Sequence, residues 1–354
     1  MLGASLYLAE GIEKNLAFID RMHAAGVQTI FTSMHIPEED SSATLNSLKE
    51  ITKKMNEYGM ELMTDVSSDT FNIYQVEKEN ARAFFTDLGI SSLRIDYGFT
   101  YQEMKDLAED FKIVLNASTI DDKTSKELEA VGFDLSEITV CHNFYPRENT
   151  GLGREFLYER NTYLNEKGYR IQAFIVGDET KRGPIYAGLP TLEEHRYADA
   201  LYAYLDLVEN FFVDEVLVGD IEMSEDSLKR LDNWMKDQII SLPMKEWKEN
   251  LPKNFYEVHV NRPDVAEDVV RSSQSRIVLK DEVIKPLHAA TERPVGTVTI
   301  DNERYGRYAG EIQVTKKNLP ADERVNVLGC IKKDAIPLLS FIQARTKFKF
   351  LQGG

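Results

Sequence analysis

Two charged side chains stand close together in a short strand-like segment, residues 92–98 (SLRIDYG). Arg94 and Asp96 are two residues apart, so a strand would place both on the same face. A charge that leaves water is costly unless it is paired or hydrogen-bonded. The segment stops at Gly98 and a helix-like stretch follows, which puts the pair at the C-terminal end of a strand. This arrangement predicts a functional site, although Arg94 could simply neutralise Asp96 or a neighbouring carboxylate.

Two further aspartates come at the ends of other strand-like segments. Asp65 lies near the end of residues 61–67, and Asp220 ends residues 215–220. Two carboxyl groups across a cleft, one protonated and one ionised, are the groups that cleave glycosidic bonds. Each aspartate could instead cap the helix that follows its strand, because aspartate readily accepts backbone N–H hydrogen bonds there. Asp65, Asp96 and Asp220 are therefore the candidate catalytic residues.

Polar and basic side chains accompany these aspartates at the predicted strand ends. Asparagine and tyrosine suit sugar hydroxyls or an amide, and arginines such as Arg147 and Arg182 bind anions through paired hydrogen bonds. Arg182 lies in the loop after the seventh predicted strand, where barrel enzymes often bind phosphate. Glu38 and Glu39 are further possible acids, although they could simply begin a solvated helix. The candidate binding residues are His35, Glu38, Arg94, Asn116, His142, Asn143, Tyr145, Arg147 and Arg182.

The histidines do not form a metal-binding motif. His35, His142 and His195 stand singly in different segments, with no His-x-His and no His-Glu-x-x-His. Cys141 would point away from His142 on a strand and is predicted to lie in the core. No glycine-rich nucleotide loop is visible either. The sequence therefore predicts no metal and no other cofactor.

Eight short apolar or β-branched segments precede residue 221, and amphipathic helix-like segments separate them. The strand-like segments are residues 3–8, 29–34, 61–67, 92–98, 112–118, 138–144, 170–177 and 215–220. Eight such units over about 240 residues predict an α/β fold, a (β/α)8 TIM barrel over residues 1–237, whose C-terminal strand ends meet at one mouth. A doubly wound sheet is the alternative, but residues 8–11 (LAEG) are not the glycine-rich loop that it usually carries.

The hydrophobic pattern changes after residue 237. Residues 238–254 contain two prolines and no clean period, which is typical of a linker. Strand-like segments follow at 256–260, 277–279, 295–300, 309–314 and 326–330, then a helix-like piece at 335–343 and the alternating Phe348 and Phe350. Residues 255–354 are therefore predicted to form a small, mostly-β domain.

Charge and composition argue against several classes of protein. The net charge of −17 is unlike a nucleic-acid-binding chain, which normally shows a basic surface. Counted on the sequence, residues 1–250 carry −21 and residues 251–354 carry +4. No apolar run reaches the roughly 20 residues of a membrane span, and no secretory signal precedes the first strand. With two distant cysteines, Cys141 and Cys330, the sequence predicts no disulfide framework and a cytoplasmic location.

Five longer stretches resemble the bacterial 6-phospho-N-acetylmuramidase family. They are FTSMHIPEED (31–40), LRIDYG (93–98), CHNFYPRENTGLG (141–153), RGPIYAGLPTLEEHR (182–196) and NERYGRYAGEIQV (302–314). The resemblance covers essentially the whole chain and implies a barrel followed by a cyclophilin-like β domain. It implies cytoplasmic hydrolysis of the β-1,4 bond between N-acetylmuramic acid 6-phosphate and N-acetylglucosamine during cell-wall (peptidoglycan) recycling. The expected partner is a small phosphorylated amino-sugar disaccharide, and the oligomeric state stays open, a homo-oligomer included.

The resemblance does not identify the catalytic carboxylates. We predict Asp96 as the general acid and Asp220 or Asp65 as its ionised partner. If the substrate's N-acetyl group is the internal nucleophile, the partner aspartate orients that amide. Arg182 and Arg147 are assigned to the phosphate and the lactyl carboxylate.

Arg307, in the last motif, has two interpretations. It lies in a turn packed by tyrosines of the small domain, or it adds a cation to the anion site of the barrel. Two other functions also stay open. A sugar-phosphate lyase or isomerase would usually need a Schiff-base lysine or a metal at a strand end, and neither is evident. A carbohydrate- or phosphosugar-binding protein on a barrel scaffold would need no ring of carboxylates, which favours an enzyme.

Overall fold

The computed structural model describes residues 1–34, 41–249, 251–287 and 290–352. The chain divides into two compact units, Met1–Leu228 and Lys229–Gly354. The division falls a few residues before the predicted boundary after residue 237, within the helix Glu225–Asp237. None of the helices in the described ranges is both long and apolar enough to span a membrane.

The first unit is built on parallel strands that pair in chain order. The strands are β1 (Leu2–Ser5), β2 (Thr29–Ser33), β3 (Glu61–Val66), β4 (Ser92–Ile95), β5 (Lys112–Asn116), β6 (Thr139–Cys141), β7 (Arg170–Ile175) and β8 (Glu215–Val218). Among the described residues these eight strands close into a barrel, because β8 pairs back to β1. The predicted TIM barrel is confirmed, and the C-terminal ends of all its strands lie at one mouth.

Helices follow the strands and separate them along the chain. They are α1 (Ile12–Ala24), α2 (Ser41–Glu57), α3 (Ser68–Tyr74), α4 (Ala81–Asp87), α5 (Tyr101–Leu107), α6 (Asp122–Ala130), α7 (Arg154–Glu166), α8 (Ala200–Asn210) and α9 (Glu225–Asp237). Their ends are set locally. In α5, Thr100 Oγ1 accepts from the Glu103 N–H at 3.2 Å, and Glu103 Oε2 accepts from the Thr100 N–H at 2.6 Å, which satisfies two backbone donors at once.

The barrel interior is packed with apolar side chains from most of the strands. The cluster consists of Phe31, Met63, Val114, Cys141, Phe174 and Leu217, and Phe144 packs against it. Cys141 is fully buried, as predicted for a core residue. Burial raises the pKa of its thiol to about 12, so the thiol is protonated and unreactive at neutral pH.

The second unit is mostly β, as predicted. Its elements are β9 (Ile239–Trp247), β10 (His259–Val260), β11 (Val269–Arg271), α10 (Ser275–Val278), β12 (Thr297–Asp301), β13 (Ile312–Thr315), β14 (Val325–Ile331) and β15 (Lys347–Leu351). In the described part of this unit the strands β9 to β15 form a seven-stranded sheet in the order β10-β15-β9-β14-β12-β13-β11. A tight helical segment, Lys333–Phe341, occupies the place of the predicted late helix. The cyclophilin-like description of this unit stays a prediction.

The predicted linker, residues 238–254, is corrected by the structure. Residues 239–247 form β9, which lies inside the sheet between β15 and β14. Pro243 argued against a strand in the sequence analysis, because proline has no backbone N–H to donate to a neighbouring strand. It is tolerated since β9 changes partner there: residues 239–243 pair with β15 and residues 244–247 pair with β14.

The predicted strand at 277–279 is also wrong. Ile277 and Val278 end the short helix α10, and Leu279 follows it as the C-cap residue. A run of three apolar residues does not by itself distinguish a strand from a helix. Strand β11, at Val269–Arg271, was not predicted.

Candidate active site

A buried arginine joins side chains from three strand ends at the mouth of the barrel. Arg94, on β4, is 6% exposed. Its Nη1 donates to Asp65 Oδ1 at 2.6 Å, and its Nη2 donates to Asn143 Oδ1 at 2.6 Å. Burial alone would lower the pKa of Arg94, but the Asp65 carboxylate outweighs it and the pKa lies above its ordinary value. The guanidinium in turn stabilises the ionised form of Asp65.

Asp96 is the first residue after β4, and its side chain is exposed. Its N–H donates to the Val66 carbonyl at 3.0 Å, which holds its backbone against β3. The caps of the helices that follow β3 and β4 are Ser67 and Thr100. The alternative that Asp65 and Asp96 cap these helices is therefore wrong, and both carboxyl groups belong to the mouth.

Asp220, which follows β8, is enclosed by backbone N–H groups. It is 1% exposed. Its Oδ2 accepts from the Gly177 N–H at 3.1 Å and the Leu189 N–H at 3.2 Å, and its Oδ1 accepts from the Arg182 N–H at 3.0 Å. Burial raises the pKa of Asp220. These contacts make Asp220 an anchor for the long loop between β7 and α8.

The same loop places a cation above aromatic rings. The Arg182 guanidinium lies 4.7 Å from the centroid of the Tyr7 ring and 6.0 Å from that of Phe144. Phe144 in turn meets Phe174 of the barrel core edge to face, with centroids 5.1 Å apart. The barrel mouth therefore has an aromatic floor, Tyr7 and Phe144, with a guanidinium held over it.

His142 does not join this group. Its ring is fully buried, and Nε2 lies 2.6 Å from Asn161 Oδ1 on α7. Burial lowers the pKa of His142 to about 4, so the ring is neutral at pH 7. Because Cys141 faces the barrel interior, its neighbour His142 faces the helix layer. His142 therefore joins β6 to α7 in the interior and is not accessible from the mouth.

Three more predicted binding residues lie at the ends of β5 and β6. Asn116 closes the turn after β5, because its Oδ1 accepts from the Ser118 N–H at 3.0 Å. Tyr145 is partly buried, which raises the pKa of its hydroxyl, and Arg147 is exposed. The structure joins Asp65, Arg94 and Asn143 directly and places Arg182 over Phe144. The other predicted residues at or after the strand ends of the same mouth are Asp96, Asn116, Tyr145 and Arg147.

An ion pair of a buried arginine, which the sequence analysis missed, ties two mouth loops together. Arg196 is 2% exposed, and its Nε and Nη2 each donate to a Glu193 carboxylate oxygen at 2.7 Å. It also donates to the carbonyls of Tyr145 and Gly188 at 3.0 Å and of Arg147 at 3.2 Å. We call this pair the Arg196–Glu193 clamp. Its sequence signal is an acid and an arginine three residues apart in a long polar loop.

Not every predicted site residue is placed at the mouth by the described part of the chain. His35 and Glu38, with Glu39, fall outside the described residues. Arg307 belongs to the second unit, where its Nη2 donates to the Tyr308 hydroxyl at 2.6 Å.

One group of possible metal ligands lies at α8 and the turn before it. Glu194, His195 and Asp206 bring their ligand atoms within 4.8 Å of one another. A guanidinium already satisfies this group, because Arg154 donates to the two Asp206 oxygens at 2.7 and 3.0 Å. His195 Nε2 lies 2.8 Å from Asp206 Oδ2. The arrangement is that of an ion-pair network in which His195 and Asp206 are buried while Arg154 and Glu194 are partly exposed.

Comparisons with known proteins agree with this geometry. Family models described as the N-terminal and C-terminal domains of 6-phospho-N-acetylmuramidase match residues 2–233 and 240–351. The crystal structure of a conserved protein of unknown function from Enterococcus faecalis is 36% identical, with a TM-score of 0.90 over 100% of this chain and 97% of that one. An uncharacterised B. cereus protein is 29% identical, with a TM-score of 0.76 over 99% of both chains. No curated protein matches the chain.

The two family models together cover both units of the fold. The first covers the barrel whose mouth carries the carboxylates and arginines, and the second covers the β sheet. This chain is therefore a glycosidase, and it belongs to the 6-phospho-N-acetylmuramidase family.

Proposed function

We propose that the protein hydrolyses the β-1,4 bond between N-acetylmuramic acid 6-phosphate and N-acetylglucosamine, in the cytoplasm, during peptidoglycan recycling. The observation that carries the proposal is the set of charged groups at one end of the barrel. It comprises the Asp65–Arg94 ion pair, the exposed Asp96 and Arg182 above its aromatic floor. Carboxylates supply acid–base chemistry and an arginine suits a phosphate. The family description supplies the phosphorylated muramic acid.

Asp96 is the general acid in this proposal. Its side chain is accessible at the mouth, so it can reach the oxygen of the leaving N-acetylglucosamine. Asp65 is the ionised partner, because Arg94 at 2.6 Å favours its charged form. Asp220, the other predicted partner, has its oxygens engaged by three backbone N–H groups and positions the loop of Arg182.

The ionised Asp65 serves either of two courses. In a direct course it activates the water that attacks the anomeric carbon. In a substrate-assisted course it accepts a hydrogen bond from the acetamido N–H, while the acetamido oxygen attacks that carbon. Asn143, oriented by Arg94, and the hydroxyl of Tyr145 are suited to bind the sugar ring beside it.

Arg182 and Arg147 bind the anionic groups of the substrate in this proposal. A guanidinium stacked on a ring keeps its N–H edges available for a phosphate, which it can hold through two parallel hydrogen bonds. The aromatic floor beneath Arg182 excludes water from one side of that contact and so strengthens it.

The two cysteines support the cytoplasmic part of the proposal. Cys141 and Cys330 are both free thiols, as is usual in a reducing compartment.

The first experiment compares two substrates. Purified protein is incubated with the disaccharide carrying the 6-phosphate and with the same disaccharide lacking it, and released N-acetylglucosamine is measured. We expect release from the phosphorylated disaccharide at a rate far above that from the other. Equal release from both would overturn the assignment of an arginine to the phosphate.

The second experiment tests the general acid with Asp96→Asn. This change keeps the size of the side chain and removes its proton-transfer capacity, so kcat should fall by about 10²–10⁴-fold. Asp106→Asn on α5 is the matched control, because that exposed carboxylate contacts Gln102 of the same helix. Thermal unfolding should be unchanged in both variants. If Asp96→Asn turns over at near the native rate, the assignment is wrong.

A further inference from the structure

The second unit contains a cleft whose charged lining residues are mainly cations. Its volume is about 740 Å³, within the range of small-molecule sites. Six charged side chains line it: Arg262, Arg276, Lys280, Glu282, Glu303 and Arg307. Four of these six are positive, although the chain as a whole is strongly negative.

Two arginines of the cleft are held against one tyrosine ring. The guanidinium of Arg307 lies 4.8 Å from the centroid of the Tyr308 ring, and that of Arg276 lies 5.2 Å from it. Arg276 Nη2 also donates to the Arg307 carbonyl at 2.6 Å, and Arg307 Nη2 donates to the Tyr308 hydroxyl at 2.6 Å. Both guanidinium groups are therefore held near the same tyrosine ring, and like charges placed near each other repel.

Two of the carboxylates nearby, Glu311 and Glu282, are paired with cations outside the arginine pair. Glu311 is 3% exposed and binds Arg271 through two hydrogen bonds of 2.7 and 3.1 Å, so its charge is already matched. It lies 4.0 Å from Arg276, at the limit of an ion pair. Glu282 is paired with Lys253 at 2.9 Å.

The remaining cations of the cleft are only partly matched. Arg262 is paired with Asp264 at 3.0 Å. The ion pairs of the described residues leave Arg307 and Lys280 unmatched.

One wall of the cleft is apolar and open to solvent. Ile277 is 70% exposed and Val283 is 71% exposed, and both line the cleft. Isolated exposed aliphatic side chains are common. Here they stand beside a fixed pair of guanidinium groups, and that combination suits a ligand with an anionic group on a carbon skeleton.

We propose that this cleft is a binding site for a sugar carrying a phosphate monoester or a carboxylate. The oxyanion would lie between the guanidinium groups of Arg276 and Arg307, which offer planar, paired donors. The sugar ring would lie against Ile277 and Val283. Binding turns the repulsion between the two arginines into attraction for a shared anion. The site uses residues of the second unit alone, so it stands independently of the proposed hydrolysis.

The test is a calorimetric titration with glucose 6-phosphate, glucuronate, glucose and inorganic phosphate. Because Arg182 and Arg147 of the barrel are themselves proposed to bind the anionic groups of the substrate, the full-length variant with both Arg182→Gln and Arg147→Gln is the starting protein. We expect both anionic sugars to bind and glucose not to bind. Inorganic phosphate should bind more weakly than glucose 6-phosphate, because it makes no contact with the apolar wall. Equal affinity for inorganic phosphate would overturn the sugar part of the proposal.

The arginine pair is tested by adding Arg276→Gln and Arg307→Gln together. We expect at least about a tenfold loss of affinity for glucose 6-phosphate, since two charged hydrogen-bond donors are removed. Arg304→Gln is the matched control, because that arginine lies in the same turn and pairs with Glu323. Unchanged affinity in the double substitution would overturn the proposal.

A labelling experiment on the native sequence tests the site without any variant that could misfold. Phenylglyoxal modifies accessible arginines, and peptide mass spectrometry reports each one. Glucose 6-phosphate should protect Arg276 and Arg307 and leave Arg304 reactive. Equal labelling of all three with and without the sugar phosphate would contradict the site. Hydrolysis of the disaccharide is measured separately, so its failure is distinguishable from failure of this site.

Discussion

Three aspartates of the same chemical type have three different environments at the barrel mouth. Asp65 is paired with a buried arginine, Asp96 is exposed, and Asp220 is enclosed by backbone N–H groups. In the proposed reaction these environments correspond to the ionised partner, the general acid and the anchor of the Arg182 loop, respectively. The predictions at this scale concern single side chains.

The first prediction concerns Asp65→Asn. This variant leaves the Arg94 guanidinium buried without its carboxylate, which costs about 3–5 kcal/mol of stability. It also removes the ionised partner of the proposed reaction. We expect a lower free energy of unfolding in urea and loss of most release of N-acetylglucosamine.

A second substitution separates these two effects. Adding Arg94→Met to Asp65→Asn removes the unpaired charge, so much of the stability should return. Turnover should stay low, because the carboxylate is still missing. If the double variant recovers turnover together with stability, Asp65 has a structural role alone.

The second prediction concerns Arg182→Gln. The neutral side chain cannot bind phosphate as an ion, so KM for the phosphorylated disaccharide should rise by about tenfold or more. The effect on kcat should be smaller, because Arg182 does not transfer a proton. Arg182→Lys should fall between the two, since lysine keeps the charge without the planar pair of donors. A fall in kcat at unchanged KM would contradict the phosphate assignment.

At the scale of elements, the mouth depends on two long loops after β6 and β7. The Arg196–Glu193 clamp joins them, because Arg196 reaches carbonyls of both loops. Glu193 also accepts from the N–H groups of Asn149 and Gly151, at 2.9 and 2.7 Å. The loops carry Tyr145, Arg147 and Arg182, so the clamp sets the geometry of the proposed substrate contacts.

The third prediction concerns Arg196→Lys. A single ammonium cannot satisfy a carboxylate and carbonyls of two loops at the same time. We expect faster hydrogen exchange at residues 145–151 and 187–189 and a higher KM for the phosphorylated disaccharide. Exchange in strand β12 of the second unit is the internal control and should not change. Unaltered loop exchange with a raised KM would show that Arg196 acts by some route other than the clamp.

At the scale of the whole molecule, the acidic chain buries a further carboxylate in the second unit. Asp301 is 7% exposed, and its N–H donates to the Glu311 carbonyl at 3.1 Å. Burial, and then the charges of Glu311 and Asp322, raise the pKa of Asp301 to about 7. An unfolded aspartate has a pKa of about 3.9. Between these two values folding takes up a proton, so this group makes stability fall as pH rises through about 4 to 7.

The fourth prediction follows from that sign. Asp301→Asn removes the titration, so the variant should gain stability relative to the native chain as pH rises. Between pH 5 and pH 8 we expect a relative gain of roughly 2.5 kcal/mol, measured by urea unfolding. Asp334→Asn is the control, because Asp334 is exposed in the same unit. A difference that is the same at both pH values would contradict burial as the cause.

The sequence alone determined the barrel, its strand order and the type of residue at its mouth. Eight consecutive strand–helix units commonly close into a parallel (β/α)8 barrel. In that barrel the C-terminal ends of all strands lie at the same end. The period of two along a strand also separated Cys141 from His142. The motifs identified the family, and the family models confirm it.

The tertiary structure decided which of those residues touch. Arg94 finds Asp65 and Asn143, which are 29 and 49 residues away in sequence. Barrel closure brings such distant segments together, and no local spacing encodes the distance between them. Pro243 shows the same limit in the second unit: it reads as a strand breaker until both neighbours of β9 are known. Local patterns set which face a side chain occupies, whereas packing between distant segments sets its partner, its burial and its charge state.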